Sequence, residues 1–510
     1  MLNSRLRSAA AAVGLLAIAW LGALLLPALL GQAPRRHRIE SASLLLGGCL
    51  VLLASVRPWV APALLTPLRV PHERFWMGAV SALAVLWWAW TLALGPLSDD
   101  FVIGQWVVER HWLPTTWPFA RPLPLLVWAI ILDAGGGWVA LHLLNVSLHA
   151  LNVALVLRLG RIGFGPAGGA VASLLFLFFP AHAEAVAWTA GVFDLASCAG
   201  VLIVLNAWCS LLPALQRSVL VMLGMALAFA SKESAIVLPV LLLTVDYTIR
   251  RGPWEQGRVL TAAIVWCGTL AYLAWRAATS PSVAGHLSQL PSSRYQLKEL
   301  LVRPFGALVA PVRTDGDEFL LATSSALAIL GVIGVGLGSI WNSSRAARGE
   351  WLMSSGLRLG LVWPLVAVAP LLMQFYVSDT LEGSRYIYLS VVGFSLFLGS
   401  AVASTGGPWR WAASAALTVL LGVWLAAGIG ERQIWRDAAA TRDVVLGQVA
   451  RLAIEHGCAA FELRHPPDNV RGAYVFREGS VIAVREAVPQ GAGSVSCVAE
   501  WSGSEVRMVE

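Results

Sequence analysis

The chain has 510 residues, of which 57% are hydrophobic and only 13% charged, with a net charge of +7 and a mean hydropathy of +0.71. So little charge excludes a soluble protein of this size, and with no basic face on a soluble segment we expect no nucleic-acid partner. Apolar runs near 20 residues, the length that an α-helix needs to cross a bilayer, recur along most of the chain. The sequence predicts an all-α polytopic membrane protein whose helices contact the lipid bilayer.

About 11 to 13 transmembrane helices are predicted. The first apolar run is interpreted as an uncleaved helix rather than a signal peptide, because it is long and further spans follow it. Arginine clusters favour one alternating topology, with the exception of a cluster at residues 35–38. The candidate spans are 9–31, 43–66, 76–95, 137–159, 166–180, 190–211, 218–231, 235–249, 259–278, 319–340, 357–377, 386–404 and 411–429.

Three parts of the chain are distinguished: an N-terminal membrane hairpin (1–75), a membrane domain (76–430) and a small α+β tail (431–510). The tail begins with a helical pattern that ends at a glycine. The runs AYVF, SVIAV and SVSCVAEW then predict strands. In the favoured topology the tail and the segments 96–136, 180–189, 231–234, 279–318 and 378–385 lie on the outer face. Cys458 and Cys497 could pair there if that compartment is oxidising.

The first polar motif, LGPLSDD, follows the third predicted span and contains Asp99 and Asp100. Adjacent carboxylates repel each other, so one of them is expected to be partly protonated. Either could act as a general base or bind a cation, and the alternative is a solvated helix end. Arg121 then begins an apolar run with two prolines, where it would face lipid headgroups or simply anchor an interfacial helix.

Two further motifs lie in or beside predicted spans. A repeated His-x-x-Asn pattern places His142, Asn145, His149 and Asn152 on one helical stripe. His149 and Asn152 are expected to bond to neighbouring helices, whereas His142 lies near the outer end and could bind substrate. The stretch FFPAHAEAVAWTAGVFDLAS contains His182, Glu184 and Asp194. These last three side chains could bind a divalent cation, position a phosphate-bearing substrate, or be structural.

Two cations complete the candidate site. Lys232, one of only two lysines, and Glu233 form a tight turn between apolar helices. The ammonium could contact a phosphate, or it could snorkel and pair with its neighbour. Arg385 and Tyr386 begin a late span, where they could clamp a phosphate or anchor the interface.

The order of these motifs, DDF, RPL, HLLNVSLHALN, FPAHAEAVAW, SKES and SRYIYLS, resembles the GT-C membrane glycosyltransferases. The branch of transmembrane and tetratricopeptide-repeat O-mannosyltransferases, with its bacterial relatives, is the most similar. The resemblance covers roughly residues 76–430.

The resemblance implies transfer of a sugar, such as a mannose-like hexose, from a polyprenyl-phosphate carrier to a protein or glycan acceptor, with inversion. It implies a bacterial inner membrane with the active site and tail facing the periplasm. Asp99 or Asp100 would be the base, while His182, Glu184, Lys232, Glu233, Arg385 and Tyr386 would match the family's substrate-binding positions. The resemblance implies no certain cofactor, and a divalent cation is possible.

This chain departs from the family at two places. Val192 and Phe193 stand where the relatives usually have an arginine, which puts the sugar in doubt, and no repeat domain is present. Two other functions are weighed. A transporter or flippase of an anionic substrate would place its charges near the bilayer midplane in repeated halves. A non-catalytic scaffold would depend on its tail.

Overall fold

The computed structural model describes residues 73–111, 121–250, 252–279, 294–313, 319–341, 356–370, 377–405, 409–490 and 494–509. The spans predicted at 9–31 and 43–66, and nearly all of the predicted N-terminal hairpin, lie outside these residues.

The described chain is predominantly helical. Its α-helices are α1 (Glu73–Trp88), α2 (Asp99–Val108), α3 (Pro122–Asp133), α4 (Gly137–Phe178), α5 (Ala183–Ala187), α6 (Val192–Cys209), α7 (Ala214–Phe229), α8 (Leu238–Val245), α9 (Gln256–Thr279), α10 (Arg294–Val309), α11 (Phe319–Trp341), α12 (Gly356–Val368), α13 (Tyr388–Ala403), α14 (Trp409–Glu455) and α15 (Ser480–Ala487). Short 3-10 helices lie at Ala89–Ala93, Pro180–His182, Thr189–Gly191, Glu233–Val237 and Ser384–Ile387, and a π-helical turn lies at Asp246–Arg250.

Seven helical stretches of the described chain are long and apolar enough to cross a membrane, which makes this an integral membrane protein. Two shorter apolar helices, α3 and α7, lie among them. The seven stretches are Phe75–Ala93, Gly137–Phe178, Thr189–Cys209, Gln256–Ala278, Leu320–Ser339, Ser384–Ala403 and Trp409–Glu455.

Helix α4 is a hairpin of two helical arms that meet at Gly165. This residue has φ 77° and ψ −178°, a backbone conformation that favours glycine. A Cβ added to Gly160 would lie 2.9 Å from the Cα of Gly169. Residues nine apart in a straight helix are separated by about 13.5 Å along its axis, so the chain must fold back. The two arms are the spans predicted at 137–159 and 166–180.

Small residues allow the central helices to approach closely. A Cβ on Gly168 of α4 would lie 3.3 Å from the carbonyl oxygen of Gly399 in α13, and one on Gly200 of α6 would lie 2.5 Å from that of Gly224 in α7. Glycine at helix contacts is a common way to pack helices in lipid, where no hydrophobic force drives them together. Helices α6 and α13 are almost wholly buried by their neighbours.

The tail is built on α14, which runs for 47 residues without interruption and passes through residue 430. After Gly457, a left-handed residue with φ 67°, come strands β1 (Cys458–Arg464), β2 (Asn469–Val470), β3 (Ala473–Tyr474), β4 (Val495–Trp501) and β5 (Val506–Met508). Strand β1 pairs in parallel with β4, and β5 pairs antiparallel with β4. Strands β2 and β3 form a separate antiparallel pair. The predicted helix and small α+β tail are confirmed.

A disulfide joins Cys458 of β1 to Cys497 of β4, with their Cα atoms 5.7 Å apart. The prediction of a strand at SVIAV is wrong, because these residues form the first part of helix α15. A short apolar run cannot be assigned to strand or helix by hydrophobicity alone. Here Ala483 and Val484 are buried while Val481 is exposed, a spacing that suits a helix.

Candidate functional site

A small, partly open cleft lies where several helices begin. It combines two carboxylates, two guanidinium groups and aromatic rings. Its lining residues are Asp99, Ile103, Trp106, Arg121, Leu125, Trp188, Ala190, Phe193, Asp194 and Arg385. Segments that the sequence placed on the same face thus converge here, although they are far apart along the chain.

The two adjacent aspartates have different surroundings. Asp99 lines the cleft, and its carboxylate accepts a hydrogen bond from the Ser98 hydroxyl (3.1 Å). Burial raises the pKa of Asp99 above its usual value, while Arg385 opposes that shift. Asp100 is fully buried and accepts hydrogen bonds from the backbone N–H groups of Leu97 (2.8 Å) and Ala190 (2.9 Å). Burial raises the pKa of Asp100 to about 7.

Each backbone carbonyl oxygen of residues 94–97, just before Asp99, is contacted by a side chain from another part of the chain. Arg442 of α14 donates to the carbonyl oxygens of Leu94 and Pro96 (both 2.6 Å). A nitrogen of the His142 ring lies 3.1 Å from the Gly95 carbonyl oxygen, and the Trp188 indole donates to that of Leu97 (2.9 Å). Ser98 adopts φ 50°, which is unusual for a residue with a side chain. These contacts fix the position from which α2 presents its acidic residues.

Glu184, which is buried, forms an ion pair with the partly exposed Arg385 at one wall of the cleft. The Glu184 carboxylate also accepts hydrogen bonds from the Ser384 hydroxyl (3.1 Å), the Arg385 backbone N–H (3.2 Å) and the Tyr474 hydroxyl (3.0 Å). The Arg385 guanidinium donates to the Tyr386 hydroxyl (2.8 Å) and lies 4.5 Å from the centroid of the Trp188 ring. These contacts together fix the orientation in which the Arg385 guanidinium faces the cleft.

Two more ion pairs complete the polar surface. Lys232, with 2% of its side chain exposed, contacts Asp194 of the cleft and lies 4.8 Å from the Tyr386 ring centroid. Burial lowers the pKa of Lys232 to about 8. Arg121 makes a bidentate pair with Glu233, with N–O distances of 2.6 and 3.1 Å. Such paired geometry fixes the plane of the guanidinium group.

The predicted histidines do not line the cleft. His142 is buried and contacts the Gly95 backbone, as described above. His182 is buried among rings, with its centroid 4.6 Å from that of Phe176 and 4.5 Å from that of Tyr388. The α4 hairpin brings His149 next to this group, where its Nδ1 lies 2.7 Å from the Tyr388 hydroxyl oxygen. His149 and His182, whose ring centroids are 5.3 Å apart, thus pack beside the segment that carries Glu184 and Asp194.

The structure does not bring His182, Glu184 and Asp194 together as metal ligands. Glu184 is engaged by Arg385, and Asp194 by Lys232. Within the described ranges, no group of three His, Cys, Asp or Glu side chains is arranged to hold a metal ion.

The charged residues of the cleft were predicted from the sequence, whereas its apolar and aromatic residues, as well as a tyrosine of the tail, were missed. Trp188 supplies a cleft wall and an indole donor, and its place within the FFPAHAEAVAWTAGVFDLAS stretch was the only signal for it. Tyr474 approaches from the tail, 290 residues after Glu184 in the sequence. No local pattern could have connected it with the membrane domain.

A scan against protein-family models and a search of curated proteins gave no match. Two solved structures of ArnT from Cupriavidus metallidurans are similar to this chain. The one bound to undecaprenyl phosphate is 13% identical with a TM-score of 0.46, over 85% of this chain and 94% of that chain. The apo structure is 14% identical with a TM-score of 0.46, over 84% and 93%.

Proposed function

We propose that this protein is a membrane glycosyltransferase of the GT-C type. It takes a sugar from a polyprenyl-phosphate carrier and transfers it to an acceptor, with inversion at the anomeric carbon. The observation that carries the proposal is a single cleft lined by the Asp99 carboxylate and by the guanidinium groups of Arg121 and Arg385. A base and fixed cations are the two elements that this displacement needs.

The chemistry follows from these charges. Asp99 accepts the proton of the acceptor hydroxyl as its oxygen forms a bond to the anomeric carbon. The bond between that carbon and the phosphate oxygen breaks, and the electron pair stays on the lipid phosphate. Arg121 and Arg385 stabilise the developing negative charge, and because their carboxylate and aromatic partners already orient them, little reorganisation is needed.

The geometry also suits a lipid-borne donor. Asp99, Arg121 and Arg385 all lie at the beginning of apolar helices, so the cleft lies at one end of the helical bundle. A carrier whose chain stays in the bilayer could then place its headgroup in the cleft without leaving the lipid. Aromatic rings of Trp106 and Trp188 provide flat apolar surfaces for the sugar.

The tail supports a periplasmic orientation for this end. The Val475 carbonyl oxygen of the tail accepts a hydrogen bond from the Ser98 N–H beside Asp99 (2.9 Å), so the tail and the cleft lie on the same side. The tail contains the Cys458–Cys497 disulfide, and disulfides persist in oxidising compartments such as the bacterial periplasm. We propose that the protein resides in the inner membrane with its cleft facing outward.

The test uses purified full-length protein in lipid nanodiscs. Binding of undecaprenyl phosphate is measured first, and transfer is then measured with radiolabelled polyprenyl-phosphate sugars, including a mannosyl donor, and a panel of protein and glycan acceptors. Saturable binding with label transfer supports the proposal. Absence of both binding and transfer across the panel contradicts it, and movement of intact lipid between leaflets would indicate a flippase instead.

A further inference from the structure

The C-terminal module, residues 458–490 and 494–509, meets the membrane domain beside the cleft. Its Glu478 N–H donates to the Ser98 hydroxyl (3.3 Å), in addition to the Val475–Ser98 bond. A Cβ added to Gly479 would lie 2.9 Å from the Ser98 carbonyl oxygen. The rings of Phe476 and Phe101 stack with centroids 6.3 Å apart. The contact is close enough for the module to influence the residues that line the cleft.

Tyr474 is the residue of this module that reaches the ion pair. It is 4% exposed, and its hydroxyl donates to Glu184 Oε1 (3.0 Å) while accepting a hydrogen bond from Arg385 (3.3 Å). Its ring packs edge-on against Trp188, with centroids 4.9 Å apart. The Arg477 guanidinium also lies over the Tyr474 ring, 4.9 Å from its centroid. Tyr474 is held by packing as well as by hydrogen bonds.

The hydroxyl acts through its partners and not on the cleft. Tyr474 is not among the described residues that line the cleft, whereas Arg385 is. Burial and the neighbouring Glu184 raise the pKa of Tyr474 well above its usual range, so the group is a hydrogen-bond donor at neutral pH. A donor to Glu184 and an acceptor for Arg385 restrains both members of the pair. Loss of the oxygen would leave the guanidinium with more rotational freedom.

We infer that Tyr474 is a positioning residue: the tail module uses its hydroxyl to hold Arg385 in the orientation that binds the phosphate of the lipid carrier. The inference rests on the function proposed above. It also means that the tail is a structural part of the site, since the phosphate-binding arginine of the membrane domain is oriented from the tail.

The experiment compares wild type, Tyr474→Phe, Glu184→Gln and the double variant, all full-length and in nanodiscs. The matched control is Tyr247→Phe, because Tyr247 is 58% exposed and follows Asp246, which bonds to Trp208 at the opposite end of α6. Affinity for undecaprenyl phosphate and the melting temperature are measured for each. A hydrogen bond to a charged group typically changes such an equilibrium by about tenfold or more.

We expect Tyr474→Phe to bind undecaprenyl phosphate about tenfold more weakly at a temperature where its melting curve shows it folded, even if loss of the buried hydrogen bond also lowers its melting temperature. Glu184→Gln in the same background should cause less than its full separate loss, because both groups act on Arg385. Wild-type affinity in Tyr474→Phe would overturn the inference alone. So would a lower melting temperature with unchanged affinity, which indicates a purely structural role. Failure of the wild type itself to bind would overturn the proposed function and this inference with it.

Discussion

Asp99 and Asp100 are neighbours in sequence, yet only the Asp99 carboxylate lines the cleft, while Asp100 bonds to two backbone N–H groups in the interior. Position on the first turn of α2 accounts for the difference, because successive side chains of a helix point about 100° apart. One aspartate is thus available to a substrate, and the other joins the start of α2 to the Thr189–Gly191 turn. The first two predictions follow from this division.

Asp99→Asn should fold normally and lose transfer. An amide cannot take the acceptor proton, and a positioned general base typically contributes about 10²- to 10⁴-fold to the rate. We expect kcat to fall within that range, with undecaprenyl phosphate still bound. The measurement is label transfer at saturating donor. The control is Asp133→Asn, the same change at a carboxylate that is 57% exposed and pairs with Arg110; equal losses in both variants would contradict the assignment of Asp99.

Asp100→Asn should instead lower stability. Both carboxylate oxygens of Asp100 accept backbone hydrogen bonds, and the amide would present an N–H group to one of the two donors. A buried donor without its acceptor costs about 1–3 kcal/mol. The melting temperature in detergent checks this. A variant with wild-type stability and no transfer would show that Asp100, rather than Asp99, acts in the chemistry.

The kcat/KM for transfer should fall at both low and high pH. Asp99 must be ionised to act as a base, and burial raises its pKa above the usual value, so kcat/KM should rise with pH over a range displaced upward from pH 4. Lys232, whose pKa burial lowers to about 8, loses its charge as pH rises through that value, leaving Asp194 without its counter-ion. We therefore expect kcat/KM to fall again above about pH 8.

Lys232→Arg tests the assignment of the basic limb. Arginine stays protonated throughout this pH range, so the decline above pH 8 should disappear or move upward, whatever the variant's absolute rate. The pH profile of label transfer between pH 4 and 10 is the measurement. A basic limb that stays at about pH 8 in Lys232→Arg would assign that limb to another group.

Removal of the disulfide should loosen the tail. Cys458 and Cys497 are separated by 39 residues, and closure of a loop of that length corresponds to about 4 kcal/mol in the chain-entropy account. The double variant Cys458→Ala/Cys497→Ala should be cleaved faster by protease within residues 458–509, and its tail should unfold at lower temperature. Cys267→Ala, which removes an exposed free thiol, is the control. Equal protease resistance in both variants would show that packing on the membrane domain alone stabilises the tail.

The sequence by itself determined the class of protein and most of its helices. An apolar run of membrane-spanning length must form a helix in lipid, because a helix makes all of its backbone hydrogen bonds within itself. The spans at 76–95, 259–278 and 319–340 could therefore be predicted from the sequence directly. The glycine at the end of α14 and the Val-rich strand β4 were equally local signals. The SVIAV run was misread because a short apolar run has no distinctive period.

Only the tertiary structure decided which polar residues share a surface. The residues Asp99, Arg121, Asp194 and Arg385 meet because helices from distant parts of the chain begin at the same end of the bundle, and the sequence indicated that only through a predicted topology. The sequence could not show which of Asp99 and Asp100 lines the cleft, or that Tyr474 of the tail contacts Glu184. Helical and strand patterns are set by neighbours a few residues away, whereas ion pairs and hydrogen bonds between segments depend on how those segments pack in space.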